Sequence, residues 1–374
     1  MNILQTCFSR SWGGLELQAL DETLQLQKRG HRLWFACIPG SRLEQETARL
    51  GIEALPLRVT GYVHPLLLLR LARFIANRHV DILHCQLSKD IATVVPAMRL
   101  SGRHVPVLLS RRMGSYIGKK DFLHRLTYRH VDRVLAISSV IHRNVLDTTP
   151  VTPDRVMTLH HAVDTQRFSL RNTDRRATRL GLGLDEATLA VGFVGRFSPG
   201  KGHEEFLHAA QAIARTHAHV RFVIVGEASR GEEGYARAIR RLCSELGIDG
   251  VVRFAGFRTD IPDVMAAFDI FAFPSHAESF GAVLIEAMAL ERPVVSTNCD
   301  GVVDIMVDGV TGLTVAPRDA EGLARALTRL IDDPSLRTAM GRAGRQRVME
   351  LFDQRKQIDR LEEVYREVIE SRHR

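Results

Sequence analysis

Short runs of β-branched and aromatic residues alternate with amphipathic helical stretches along the whole chain, and this alternation restricts the fold more than any other feature. In the first half it predicts strands at 2–8, 33–37, 81–84, 106–110 and 133–137, with helices near 16–29 and 65–78. The second half repeats the rhythm, with strands at 188–195, 220–225, 251–254, 269–273 and 293–296. Strands that alternate with helices read as βα units around parallel sheets, because a parallel pair needs a crossover long enough to hold a helix. The expected fold is α/β: two facing Rossmann-like doubly wound domains with a deep cleft between them. A polar stretch at 164–185, containing Arg171-Asn-Thr-Asp-Arg-Arg176, interrupts the apolar periodicity and places the boundary there. Domains are therefore expected at 1–165 and 166–352. Ile358, Leu361, Tyr365 and Val368 mark an amphipathic helix over 353–374 that closes the structure.

Composition bounds what such a chain does. With 374 residues, 45% of them hydrophobic and 25% charged, it has the profile of an ordinary soluble protein of two domains. Cys7, Cys37, Cys85, Cys243 and Cys299 are odd in number and scattered, with no CxxC, so they read as reduced core residues of a cytoplasmic protein. Residues 1–8 look like a first strand and not a signal peptide, and the apolar cluster Leu66 to Leu69 ends at Arg70, far short of a membrane span. Charge is uneven: residues 1–165 carry 22 Lys and Arg against 13 Asp and Glu, and the remainder 29 against 30. The first half is thus suited to an anionic partner, unless it reflects a generally basic proteome.

Open α/β sheets bind ligands at the carboxyl ends of their strands, so the loops there hold the candidates. Gly13-Gly14 follow the first strand, Arg111-Arg112 the fifth, Arg196 and Lys201 the strand ending at Gly195, and Glu278 the strand 269–273. The stretch Pro274 to Ala289 is the most informative: the end of a buried strand, a polar loop with Glu278, then a helix from about Phe280 carrying Glu286 two turns in. Gly281 sits at the helix start, where unsatisfied N–H groups face an anion. A ligand with a phosphate in the middle and hydroxyls at both ends suits this arrangement, and a nucleotide sugar is such a ligand.

Several other chemistries fail on spacing. Gly195-Arg-Phe-Ser-Pro-Gly-Lys-Gly202 approaches a P-loop but has Gly202 where Ser or Thr would hold magnesium. What survives is a pair of cations, Arg196 and Lys201, placed to neutralise a diphosphate leaving group, with solvated surface cations as the plainer alternative. His203 and His208 lie five apart, not the four of a zincin helix, and no DxD pair is present. Absent too are a GxSxG elbow and a GxGxxG after the first strand, which removes the main support for a hydrolase and for a dinucleotide enzyme.

The joint pattern is Glu278-x7-Glu286, Gly13-Gly14 near the N-terminus, Gly195-Arg196 with Lys201-Gly202 in mid-chain, Pro274-Ser275 before the first Glu and Pro293-Val-Val-Ser296 after the helix. It resembles the retaining GT-B glycosyltransferases of family 4, the glycosyl transferases group 1, over essentially the whole chain. The resemblance implies that Glu278 contacts the hydroxyls of the donor sugar and Glu286 those of the ribose. Phe280 and Gly281 would lend backbone N–H groups to the phosphates, Arg196 and Lys201 would hold the diphosphate, and Gly14 would let the opposite domain approach it. It also implies a terminal helix that crosses back to the N-terminal domain. No cofactor or metal is expected beyond the nucleotide diphosphate sugar.

Departures fall on the acceptor side. Members often carry His-x-His after the fourth strand and a single His or Asp after the fifth; here the matching regions read His84-Cys-Gln86 and Ser110-Arg-Arg-Met-Gly114. His84 is read as an acceptor-side candidate or a structural histidine, and Arg111 or Arg112 as taking over part of the electrostatics. The segment from Arg111 to Arg125 mixes Lys119, Lys120 and Arg125 with Tyr116, Ile117, Phe122 and Leu123. It suits an anionic lipid-linked glycan or the membrane surface beside it, or else a solvated loop. Nucleic acid fits poorly, since no groove-reading motif is present. The expectation is a cytoplasmic, metal-independent glycosyltransferase acting with retention on a lipopolysaccharide core or other envelope glycan, at the inner face of the membrane. A glycan-binding relative without turnover, or epimerase or phosphorylase chemistry on the same fold, are the alternatives.

Overall fold

The computed structural model describes residues 1–59, 65–229 and 231–373. Two compact units emerge: Met1–His160 joined by the segment from Gln357 onward, and His161–Lys356.

The first unit is built on one parallel sheet of β1 (Asn2–Cys7), β2 (Arg32–Cys37), β3 (Glu53–Pro56), β4 (Ile82–Cys85), β5 (Val107–Arg111), β6 (Arg133–Ala136) and β7 (Val156–Thr158). Its order is β3-β2-β1-β4-β5-β6-β7, so the winding reverses between β1 and β4. All residues of β4 and β5 are buried, as expected for strands covered on both faces. One of those faces is covered by the helix Gln354–His373. Its Ile358, Leu361, Val364, Tyr365 and Val368 join Ile3, Leu26, Ile82, Leu108 and Leu135 in a single core. Arg29–Asp359 at 2.5 Å and Arg372–Asp132 at 2.8 Å tie its polar side. Partly exposed pairs of this kind contribute about 0–1 kcal/mol each, so the apolar seam dominates the docking.

The second unit has β8 (Leu189–Val194), β9 (Val220–Val225), β10 (Val252–Gly256), β11 (Ile270–Phe273), β12 (Val294–Thr297) and β13 (Gly312–Val315). The parallel order β10-β9-β8-β11-β12-β13 reverses between β8 and β11. Phe193, Phe206, Phe222, Ile224, Ile270 and Leu327 fill its core. Part of the polar stretch read as the domain boundary is ordered: the helix Arg175–Gly181 sends Arg175 and Arg179 to Asp269 at 2.6 and 3.2 Å. Asp269 also accepts the Ala190 N–H at 2.8 Å, so these arginines serve the sheet and not a linker.

Both sheets are the parallel, helix-flanked kind that the alternation predicts. The strands β3, β7 and β13, absent from that reading, are short and lie at sheet edges. All five cysteines are buried and unbridged. Among the described residues no helix is long and apolar enough to cross a membrane.

Candidate active site

In the second unit the loops after β8 and β11 are neighbours because their strands pair, and they leave the sheet where its winding reverses. That is the position at which open α/β sheets place ligands. Gly202 lets the two loops close up: it has φ +81°, and a Cβ there would sit 2.0 Å from the Pro274 carbonyl oxygen. The His276 N–H donates to the Gly200 carbonyl at 2.8 Å, and the His276 ring meets Glu205 at 2.9 Å.

This fastening brings Lys201 to Glu278. The Lys201 ammonium donates to Glu278 Oε1, and the Ser275 hydroxyl donates to the same oxygen at 2.9 Å. Glu278 is held at its backbone as well, its N–H donating to Asp300 at 3.2 Å and its carbonyl accepting from Gly301 at 2.9 Å. Arg196 is exposed and donates to the Ser229 hydroxyl at 3.1 Å. Ser275 enters the sequence reading only within the pair Pro274-Ser275 and without a role of its own, and His276 and Asp300 carry no role there; their places beside Glu278 and after β12 are what mark them.

Gly281 caps the helix Ala282–Ala289 in a left-handed conformation, φ 99°, with no side chain on the cap. The first turn of a helix presents N–H groups without intrahelical partners, so this end favours negative charge. Phe280 is buried, edge-on to His161 at 6.1 Å and Phe352 at 5.8 Å, which fixes the backbone entering the helix. Glu286 lies on that helix, and burial pushes its carboxyl up to about 7, with Arg167 opposing.

The first unit treats its candidates differently. Gly14 begins the helix Gly14–Lys28, and a Cβ there would meet no atom within 4 Å, so its own unit sets no demand for glycine. His84 is fully buried, one ring nitrogen 2.7 Å from the Tyr365 hydroxyl and the other 2.9 Å from that of Ser110. Burial pushes the imidazole down to about 4. Both nitrogens are engaged, and the residue latches β4 and β5 to the terminal helix, the structural arrangement that stood beside the acceptor-side reading.

Arg112 is likewise engaged within the unit. Its guanidinium is buried and meets Glu22 at 2.7 Å, Gln18 at 2.8 Å and Gln86, so its charge is neutralised inside the unit. Arg111, one residue earlier, donates to the Ser88 hydroxyl at 2.5 Å, and Lys119 donates to the same oxygen at 3.1 Å. Lys120 is exposed.

Residues 174–347 match the family model described as glycosyl transferases group 1, and residues 12–167 that described as glycosyltransferase family 4. The chain belongs to the group 1 glycosyltransferases, with the GT-B fold. The D-inositol 3-phosphate glycosyltransferase of Saccharomonospora viridis is 34% identical over 244 residues, 64% of this chain and 56% of that protein. The protein of the same name from Salinispora arenicola is 32% identical over 248 residues, 64% of this chain and 55% of its own length. The chain thus spans little more than half the length of these curated relatives. A glycosyltransferase from Rickettsia africae superposes with a TM-score of 0.87 at 21% identity, covering 98% of both chains. Anabaena HepE in complex with UDP gives 0.85 at 22% identity, covering 97% of this chain and 99% of its own. These structures establish the fold.

Proposed function

We propose that the chain transfers a sugar from a nucleotide diphosphate sugar to a hydroxyl of a glycan acceptor, with retention at the anomeric carbon and without a metal ion. The observation that carries this reading is the gathering of Arg196, Lys201, Glu278 and the Gly281 helix start around one switch point of the second unit. On arrival of the donor, Lys201 exchanges Glu278 for the diphosphate. Glu278 is then free to orient the sugar hydroxyls, and Glu286 accepts from the ribose. As the bond from the anomeric carbon to the phosphate oxygen breaks, Arg196, Lys201 and the helix start take up the charge on the leaving group. The acceptor oxygen bonds to the anomeric carbon on the face just vacated, and its proton passes to the departing phosphate. The UDP and UDP-glucose complexes of HepE fit a donor of this class.

The acceptor is proposed to be an envelope glycan, of which the lipopolysaccharide core is one candidate, met at the cytoplasmic face of the membrane. Support comes from the first unit, where Ile117, Phe122 and Leu123 are 73%, 77% and 69% exposed beside Lys119, Lys120 and Arg125. Apolar tips among cations suit an anionic lipid surface.

Incubation with a panel of nucleotide sugars tests the activity. Slow release of nucleoside diphosphate is expected with one donor, faster once an acceptor is added, and silence across the panel with acceptors present overturns the reading.

A further inference from the structure

His276 joins the loop after β11 to the chain that follows β8 at two points. Its N–H donates to the Gly200 carbonyl at 2.8 Å, and its ring Nε2 lies 2.9 Å from Glu205 Oε1 on the helix His203–Ala214. Gly200 and Glu205 stand on either side of Lys201, and His276 stands two residues before Glu278. Each of the two side chains proposed for the donor is therefore carried on a short stretch of chain that His276 pins.

The hydrogen bonds settle the tautomer. Arg318, in the loop after β13, donates its Nε–H to His276 Nδ1 at 3.4 Å. Nδ1 thus accepts, and the ring proton sits on Nε2, which donates it to Glu205. The imidazole and carboxylate side chains are 20% and 13% exposed, and Glu205 Oε2 is buried with no hydrogen-bond partner among the described residues. A mostly buried carboxylate held by one neutral donor costs more than an apolar contact that would join the same two loops. What it supplies in return is direction. The bond is made at one ring orientation, and with the Gly200 bond it fixes residues 200–205 against residues 275–278.

We propose that His276 is a positioning residue for Lys201: through Glu205 and the Gly200 carbonyl it sets where the ammonium stands as the diphosphate leaves. Its place in turnover rests on the transferase reading above, whereas the positioning itself is read from nucleotide binding. His276 is assigned no contact with a reacting atom, so its effect passes through Lys201.

Calorimetric titration of the full chain with UDP, GDP and ADP, beside nucleoside diphosphate release from donors, tests it. A nucleoside diphosphate already carries the charge that the leaving group acquires, so its affinity reports where Lys201 stands whether or not turnover occurs. The native chain is expected to bind at least one of the three. His276→Ala is expected to weaken that binding by about tenfold and to lower kcat by about tenfold or more, with donor KM moving by less than about threefold. His276→Gln, which keeps an N–H in the place of Nε2, should bring both back to within about threefold of the native values, and Glu205→Ala should reproduce the loss. Lys201→Ala combined with His276→Ala should be no weaker than Lys201→Ala alone, because a residue that acts through another adds nothing once that other is gone. A lowered Tm with affinity and kcat unchanged makes His276 a structural tie and overturns the proposal. So do additive losses in the double variant, losses that His276→Gln does not recover, and a native chain that binds none of the three nucleotides. The predicted binding losses in a chain that releases nothing from any donor sustain the positioning role and sink the transferase reading; full turnover in His276→Ala does the reverse.

Discussion

The Lys201 ammonium donates to the Glu278 carboxylate, so that the side chains proposed for the diphosphate and for the adjoining sugar are each other's partner in the free protein. Both are partly buried, with side chains 24% and 14% exposed. The two charges therefore offset each other at rest, and a diphosphate that takes Lys201 would leave Glu278 with Ser275 and the sugar hydroxyls as partners. Charge is exchanged and not created in a low-dielectric pocket.

Lys201→Ala is expected to lower turnover by about 10²-fold or more, because the ammonium acts on charge that develops as the diphosphate leaves. Donor KM should move much less than kcat. Nucleoside diphosphate release under saturating donor gives the comparison, and a kcat within a few-fold of the native value removes Lys201 from that role.

The Glu286 carboxyl, held up to about 7 by burial, makes two pH effects measurable. A ribose-binding carboxylate must be ionised, so donor affinity should rise through pH 7 in the native protein, and Glu286→Gln should bind donor weakly with no such rise. Stability has the opposite sign. A raised carboxyl contributes stability that is complete below about pH 4.5 and is lost as pH rises through 7, by about 1–3 kcal/mol. Thermal melts from pH 4.5 to 7.5 should fall more steeply for the native chain than for Glu286→Gln. Asp90, fully buried and also pushed up to about 7, leaves a remainder of the same sign.

His84→Ala should destabilise the first unit by about 2–4 kcal/mol through the loss of two buried hydrogen bonds and the space behind them, and should leave the pH profile of kcat unshifted. The native imidazole is held neutral, pushed down to about 4, so its contribution is present above pH 6.5 and is lost as pH falls towards 4. Urea midpoints at pH 7 and 5 for both proteins measure this; a displaced activity profile would return His84 to the chemistry.

Gly202→Ala combines a strained φ with a methyl 2.0 Å from the Pro274 carbonyl, so the loops after β8 and β11 must part. A loss of about 1–3 kcal/mol in stability is expected, together with a loss of donor affinity. Calorimetry and donor titration test the pair of effects, and an unaltered donor affinity would show that the closeness of the loops is not needed for binding.

If the segment around Ile117 and Phe122 meets a membrane, Ile117→Ser with Phe122→Ser should reduce binding to anionic vesicles by about tenfold at low salt, with no change in Tm because both side chains are exposed. Sedimentation with vesicles decides between this and a solvated loop.

The fold was legible because its signals are local. Runs such as Val220–Val225 and Leu189–Val194 announce buried parallel strands by composition alone, and Ile358, Leu361, Tyr365 and Val368 announce a helix face by spacing. Glu53–Pro56 and Val156–Thr158 escaped because three or four edge residues have no periodicity to read. In the loops after β8 and β11, residue type and position after a strand are the signals that the sequence offers. The difference between Arg111 and Arg112 was beyond it: adjacent residues of one type part company only when the sheet sends one towards Glu22 and the other towards Ser88, and both partners are distant in sequence.

The first unit takes its core from two distant stretches of chain, Ile3 and Leu108 packing with Leu361 and Val368. During synthesis the second unit, residues 161–356, emerges complete before residues 357–373 do. The sheet of the first unit therefore waits with an uncovered apolar face while its neighbour in sequence is already able to fold, an inversion of the N-terminal-first order in which chains usually mature.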